Sequence, residues 1–580
     1  TGFNPSGQMQ GVRLDEETGE RVAEDKPLLI THVQGNAPEP GDRVLVRLNM
    51  DKPDANEAQM LRILPPTLTH VLGIFQGEGE HGVVEPVDRK IKESFSVHSD
   101  FTMGAKDGEL VYCRIVAGAP KPKRGRGKKQ SMARPVEVLE RVGRLDDPRS
   151  ASLIAIHNHE IPMAFPAEAV RIAEAAKSPE MKPGRTDLRD IPLVTIDGAD
   201  ARDFDDAVFA ERDGDQWHVI VAIADVAHYV RFGEALDNEA FKRGNSVYFP
   251  DRVVPMLPEA LSNGLCSLNP NEDRYCLAVH LWIDDEGNTK RYQFVRGLMR
   301  SHARLTYDQV QAAKDGEKDQ VPDEIMHKVV EPLYGVYEAL NKNRTIRGAL
   351  DLDLPEHKAE IDRETGRVTS INLRERYDSH KLIEECMIAA NVAAAHAIET
   401  AEAPGLFRVH ETPDFERIVN LKTMLKQMGY AIARAENLSA HHFNVVLKEA
   451  HDKPEAHVIH LAILRSQMAA YYDPKNLGHF GLSLEQYCHF TSPIRRYSDL
   501  IVHRSLIDIF RMVDQETDGL VNEQAQNLNT IATHISQTER RAMLAEREAN
   551  DRYLANFMAD QVGKEFDGII ASVNSFGFFV

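Results

Sequence analysis

Apolar and polar positions alternate along residues 41–48, GDRVLVRL, behind a Gly-Asp turn, and again along 107–116, DGELVYCRIV. Each stretch is followed by a second short run of similar texture, EAQMLRILPP from Glu57 and RPVEVLERV from Arg134, with Gly, Pro and Asp between them. Alternation of period two between turn residues predicts strands, because successive side chains of a strand point to opposite faces. Two such units in tandem predict OB-like β-barrels over residues 1–66 and 67–146, a common design for holding single-stranded nucleic acid. Two β-modules with no ligand would show the same pattern. From about residue 147 the texture changes to mixed helix and strand, with helical runs over 454–472, 498–513 and about 523–561. The final stretch, GKEFDGIIASVNSFGFFV (563–580), returns to strand character and is expected to open a third barrel that stops at Val580. The chain also starts at Thr1 without methionine, so the first barrel is expected to be incomplete. The expected fold is multidomain α+β, with a large mixed α/β domain over 147–562 between the barrels.

Composition narrows the setting. A chain of 580 residues exceeds what one hydrophobic core usually organises. Five scattered cysteines, without a CxxC pair or Cys/His metal spacing, argue for a reducing, cytoplasmic compartment and against a structural zinc site. The sequence shows no signal-peptide pattern and no apolar run of spanning length, so no membrane partner is expected. A net charge of −21 taken alone disfavours nucleic acid. Net charge is a sum, however, and a positive channel can lie inside an acidic protein. One segment carries the opposite sign: APKPKRGRGKKQ (119–130) places Lys121, Lys123, Arg124, Arg126, Lys128 and Lys129 among Pro and Gly. Such a loop is either simply solvated or an arm for a phosphate backbone.

The densest chemistry lies in PLVTIDGADARDFDDAVFA (192–210). An apolar strand ends at Asp197, and a bend at Gly198 leads to Asp203, Asp205 and Asp206, four carboxylates within ten residues. Like charges brought together beside core sequence are costly unless a cation compensates them. Oxygen-only ligands select Mg²⁺ or Mn²⁺ rather than zinc. A calcium loop of EF-hand type would need Gly and Glu where Arg202 and Val208 stand. That leaves a solvated acidic turn or a catalytic site for one or two ions acting on a phosphoryl group.

Other residues carry two readings each. Tyr248, in SVYFPDRVVP, either packs or stacks on a nucleobase. In HFTSPIRRYSDL (489–500), Ser492 and Pro493 predict a helix start that places Arg495 in the first turn, where it either pairs with Asp499 or meets an anion. Glu384 and Glu385 interrupt an otherwise apolar helix, so one of them faces a channel or lies at a solvated edge. The HNHE run (157–160) leads into Pro162 and lacks the helical HExxH geometry of a zinc site.

Taken together, TIDGADARDFDDAV (195–208), SVYFPDRVVPMLPEALSNGLCSLNP (246–270), SHARLTY (301–307), HKLIEECMIAAN (380–391) and HFTSPIRRYSDL resemble, in order and in register, the RNB family of ribonuclease II and ribonuclease R exonucleases. The longer loop motifs are more similar to ribonuclease R. The resemblance implies cold-shock-type barrels, an RNB catalytic domain, an S1 barrel beginning at 563, and processive 3′-to-5′ hydrolysis of RNA to nucleoside 5′-monophosphates in RNA decay. It implies single-stranded RNA, or structured RNA with a 3′ tail, as the partner of a monomer. It places Asp197, Asp203, Asp205 and Asp206 at the metal and Arg495 on the scissile phosphate. Tyr248, Arg496, Glu385 and Glu546 would contact RNA, with Lys121, Lys123 and Arg124 on the backbone. A non-catalytic RNA-binding or RNA-chaperone protein on the same scaffold would predict a broken aspartate set or a missing Arg495, and both are intact. A DEDD-type exonuclease would spread its acids over distant motifs.

Overall fold

The alternation seen in the sequence is built as expected. In a computed structural model, residues 2–3, 9–11, 28–31, 43–48, 57–64, 69–78, 81–88, 91–116, 133–144 and 147–580 are described, the last stretch without 318, 353, 355–356, 363, 374, 433–437, 515–517, 569, 571 and 575–576. Two units result, Thr1–Glu160 with Arg363–Arg367 and Ile161–Asp362 with Val368–Val580. In the first unit, β1 (Gly2–Phe3), β2 (Met9–Gly11), β3 (Leu28–Thr31), β4 (Arg43–Leu48) and β5 (Glu57–Leu64) form a sheet in the order β1-β2-β3-β5-β4. Period two shows directly in β5, where Ala58 and Met60 are buried while Gln59 and Leu61 are exposed. Next, β6 (His70–Glu78), β7 (His81–Pro86), β8 (Phe95–His98), β9 (Glu109–Ile115) and β10 (Arg134–Arg144) close into a barrel. Closure comes from parallel pairing of β10 with β8. Val71, Phe75, Val84, Phe95, Val97, Val111, Val136 and Val138 fill the interior. Gly82 is required there, since a methyl group at that position would overlap the Phe75 ring. Helix α1 (Ser150–Asn158) packs Ile154 against Leu72 and Leu110 of the barrel. It carries His157, whose ring lies 4.4 Å from that of Tyr112 and whose pKa burial pushes down to about 4. His157 of the HNHE run therefore packs against the barrel. The basic segment 121–129, with Lys121, Lys123 and Arg124, lies outside the described residues.

The second unit is organised by seven strands: β11 (Thr186–Asp187), β12 (Val194–Asp197), β13 (Asp206–Asp213), β14 (Gln216–Ala224), then β17 (Asp273–Ile283), β18 (Thr289–Arg300) and β19 (Ala303–Thr306), with the two-residue hairpin β15 (Val247–Tyr248) and β16 (Val253–Val254) between them. The sheet order is β11-β18-β17-β14-β13-β12-β19. Strand β14 ends in a continuous apolar run, Val219–Ala224, because both faces of the sheet centre are covered and every one of these residues is buried. Around it lie helices α2 (Glu331–Arg347), α3 (Asp378–Thr400), α4 (Tyr497–Ile509) and α5 (Leu528–Ala559).

Three helix boundaries differ from the sequence expectation. The run at 454–472 is a helix only over Ala456–Ser466, because Tyr471–Asp473 turns into a short strand paired with Phe407–Val409. The run at 523–561 breaks into Asn522–Gln526 and α5. The run at 498–513 starts at Tyr497 and stops at Ile509, where the last turn closes on Phe510. At the end of the chain, Ser572–Asn574 and Gly577–Phe579 pair antiparallel, in keeping with the strand character of 563–580. Among the described residues no helix is long and apolar enough to cross a membrane.

Candidate active site

Strands β12 and β13 are antiparallel neighbours, with Val194 opposite Val208, so the end of one and the start of the other lie at the same edge of the sheet. Asp197 ends the first, Asp206 starts the second, and the loop between them carries Asp203 and Asp205. The carboxylates predicted from spacing are therefore brought together by one strand connection. Asp197 accepts the Gly198 N–H through Oδ1 at 2.7 Å. Asp205, only 5% exposed, accepts the Ile494 N–H at 2.8 Å. Asp203 accepts the Tyr248 hydroxyl at 2.8 Å.

Burial sets the electrostatics. It pushes Asp205 well above the usual carboxylate range, and it raises Asp197 as well. Burial together with the Asp197 charge lifts Asp206 to about 7. One cation answers them: Arg495 Nε lies 3.4 Å from Asp205 Oδ2. Ionised together, four carboxylates facing one guanidinium would leave a large excess of negative charge, and their donors are all oxygens. That donor set fits a hard divalent cation.

Arg495 reaches this position from a turn, not from a helix. The sequence placed it in the first helical turn after Ser492, but α4 begins only at Tyr497. The reason is Asp499, fully buried, which accepts the Ser492 N–H at 2.8 Å and two of the Arg496 guanidinium N–H groups, Nε at 2.9 Å and Nη2 at 2.8 Å. Arg496 is held extended against Asn245, which ends the turn and delays the helix. Asp499 thus pairs with Arg496 and leaves Arg495 to Asp205 and to the Ser492 hydroxyl, 3.1 Å away.

Tyr248 is 38% exposed and bonded at both ends: its hydroxyl donates to Asp203, and its backbone N–H donates to Glu546 Oε1 at 2.9 Å. Desolvation in the cleft and the Asp203 charge push its phenol up. Glu546, from α5, is itself raised by burial. A cavity of about 150 Å³ beside them is lined by Tyr248, Arg495, Arg496, Tyr472 and Glu539. Glu385 is 3% exposed on α3, where it accepts Arg344 Nη1 at 2.7 Å and has Arg347 Nη2 at 3.7 Å. Glu384 takes Arg376 at 2.6 Å. The sequence reading missed these arginine partners. Burial raises the Cys386 thiol on α3 to about 12, with the charges of Glu385 and Asp206 acting in the same direction.

A second acidic group lies in the same unit. His228, Asp514 and Asp518 each bring one ligand atom within 4.8 Å of the others. Arg185 donates to Asp514 at 2.7 Å and to Asp225 at 2.8 Å, and Arg296 bridges Asp225 at 2.6 Å and Asp518 at 2.8 Å.

Residues 185–511, more than half of the chain, match the RNB domain, and residues 84–166 match a cold shock domain. Ribonuclease R of Escherichia coli (strain K12) is 40% identical over 554 residues, covering 93% of this chain and 66% of that protein, so the chain spans just under two thirds of this relative's length. The fold is similar to Mycoplasma genitalium RNase R in complex with ribose methylated single-stranded RNA, with a TM-score of 0.83 and 26% identity over 98% of this chain and 90% of the other. Yeast Ssd1, a pseudonuclease, shares the fold alone, with a TM-score of 0.65 and 16% identity over 97% of this chain and 77% of the other.

Proposed function

The chain belongs to the RNB family, and on that premise we propose that it is a metal-dependent exoribonuclease that hydrolyses RNA processively from the 3′ end and releases nucleoside 5′-monophosphates. The observation that carries this reading is the meeting of four carboxylates with one arginine and one exposed tyrosine at a single sheet edge. Asp197, Asp203, Asp205 and Asp206 would hold Mg²⁺ or Mn²⁺, as one or two ions. A metal bound there would supply positive charge at the phosphoryl group and would activate water.

The chain's own groups do the rest. Arg495, tethered to Asp205 and Ser492, presents donors for the charge that develops on the scissile phosphate. Tyr248, with its hydroxyl and N–H both fixed, offers a ring face against the last base. Glu546 holds that tyrosine from α5. Glu385, held by Arg344, would contact ribose hydroxyls and so select RNA over DNA. Arg496 supports the Arg495 turn through Asp499 and lines the cavity. The domain limits that accompany this reading are 1–66 and 67–146 for the cold-shock-type barrels, 147–562 for the catalytic domain and 563–580 for the start of an S1 domain. The barrels add sequence-independent affinity, with Lys121, Lys123 and Arg124 on phosphates. The substrate is single-stranded RNA or structured RNA with a 3′ tail, met by a monomer in the cytoplasm.

A non-catalytic RNA-binding protein is the second reading, favoured by the pseudonuclease that shares the fold. The test is to incubate the protein with 5′-labelled, 3′-tailed RNA and Mg²⁺ and to identify the small products. Nucleoside 5′-monophosphates together with a shrinking 5′-labelled strand support the exonuclease. Bound but uncut RNA supports the second reading.

A further inference from the structure

The loop that bears Asp203 and Asp205 lies between strand ends, so ladder hydrogen bonds do not hold its middle. Side chains from elsewhere do. Ser267 is fully buried; its hydroxyl donates to the Arg202 carbonyl at 2.8 Å and accepts the Phe204 N–H at 3.0 Å. One oxygen therefore clamps the peptide groups on both sides of Asp203. The next residue continues the seam, with the Leu268 N–H donating to the Phe204 carbonyl at 3.0 Å. Ser267 is itself fixed, since its carbonyl accepts Nε of the buried Arg274 at 2.8 Å. From β19, Arg304 Nη2 braces the start of the loop, donating to the carbonyls of Ala199 at 2.8 Å and Ala201 at 3.2 Å. These contacts draw on ALSNGLCSLNP and SHARLTY, two motifs to which the mechanism assigns no role.

We propose that Ser267 is a positioning residue for the cation site. Its hydroxyl fixes the rotation of the peptide units around Asp203, so that Asp203 and Asp205 face Asp197 and Asp206 while Arg202 and Phe204 are turned away. The position needs a group that donates and accepts at once in a small volume, which a hydroxyl does. Alanine leaves a carbonyl and an N–H unpaired and frees the loop to rotate. Residues that orient ligands in this way typically change metal affinity by about 10- to 100-fold when lost. The proposal rests on the carboxylates being the cation site.

The test is a Mn²⁺ titration of the RNA-free protein, followed by electron paramagnetic resonance of the free ion, for wild type, Ser267→Ala, Arg304→Met and Asp206→Asn. Ser267→Ala is expected to weaken Mn²⁺ binding by about 10- to 100-fold, and Arg304→Met by a smaller factor. RNA affinity in EDTA should stay within about twofold for Ser267→Ala, which separates a loop effect from general unfolding. If Ser267→Ala does not fold, Ser267→Cys, close in size and weaker in hydrogen bonding, takes its place with the same criterion. Wild-type Mn²⁺ affinity in the folded Ser267 variant overturns the positioning role and leaves the site intact. A wild-type protein that binds no Mn²⁺, or an Asp206→Asn protein that binds it as tightly as wild type, overturns both the site and the role.

Discussion

Asp225 and Asp205 are both buried carboxylates of the second unit, 1% and 5% exposed, yet their acidities move in opposite directions. Around Asp225 burial alone would raise the pKa, but Arg296 and Arg185 outweigh it and hold the group below the usual carboxylate range. Around Asp205 burial wins, because among the described residues Arg495 is the cation that opposes it beside four aspartates. Two guanidiniums serve three carboxylates in the first cluster, and each bridges two of them. Ligand-atom proximity by itself would nominate His228, Asp514 and Asp518 as a metal site. The arginines interleaved there repel a cation, with Arg185 on Asp514 and Arg296 on Asp518. Charge balance, not proximity, separates a structural cluster from one that calls for an ion from solution.

The contrast can be broken most severely at Asp206. Asp206→Asn should lower turnover by about 10⁴-fold, roughly 5 kcal/mol of barrier, while RNA affinity stays the same or improves because one repelling charge is gone. Single-turnover rates decide it, and retention of more than about a tenth of wild-type activity would remove Asp206 from the chemistry. The matching change in the other cluster, Asp225→Asn, removes the carboxylate that two buried guanidiniums share and leaves Arg185 with Asp514 and Arg296 with Asp518. It should cost about 3–5 kcal/mol of stability in urea unfolding while leaving Mn²⁺ affinity of the folded protein unchanged. The pH dependence has a definite sign. A carboxylate held down in the folded state contributes stability above its unfolded pKa, about 3.9, and that contribution is lost as pH falls below it. Wild type should therefore weaken on acidification below about pH 4 more steeply than Asp225→Asn. A parallel pH dependence in the two proteins would show that Asp225 is not the group responsible.

Within the cation-poor cluster the effects grade downward. Arg495→Ala should slow every step by about 10²- to 10³-fold, since charge develops on phosphate at each bond. A loss confined to certain RNA lengths would instead make Arg495 a substrate clamp. Tyr248→Ala removes stacking of about 1–3 kcal/mol, which matters most when little RNA remains to be held. It should release longer 5′-labelled end fragments with a milder loss of rate on long RNA. Unchanged end fragments on a sequencing gel would take the clamp away from this residue.

The strands of the barrel and the density of the aspartates were legible in the sequence because both are local: period two in DGELVYCRIV, four acids in one connection. The start of α4 was not, since Asp499 reaches back to Ser492 and competes with the helix for that turn. Arg344 and Arg347 behind Glu385 were also invisible, because α2 and α3 meet only in three dimensions. Ser267 carries no signal beyond its motif, as a serine is unremarkable until the two peptide groups it joins are known. The arginine cluster around Asp225 is the extreme case, assembled from four separate stretches of chain.

That cluster also sets an order of events during synthesis. Arg185 and its partner Asp514 are 329 residues apart. A ribosome adding about 5–20 residues per second needs roughly 15–65 s between them. Until Asp514 and Asp518 emerge, Arg185 and Arg296 each have at most Asp225 of their two carboxylates. Burying either one half-paired is unfavourable, which disfavours closing this part of the sheet before the residues after α4 emerge. The nascent chain can complete its barrel early, because the pairings within it are short-range, whereas the arginine cluster of the second unit is complete only once Asp514 and Asp518 have emerged.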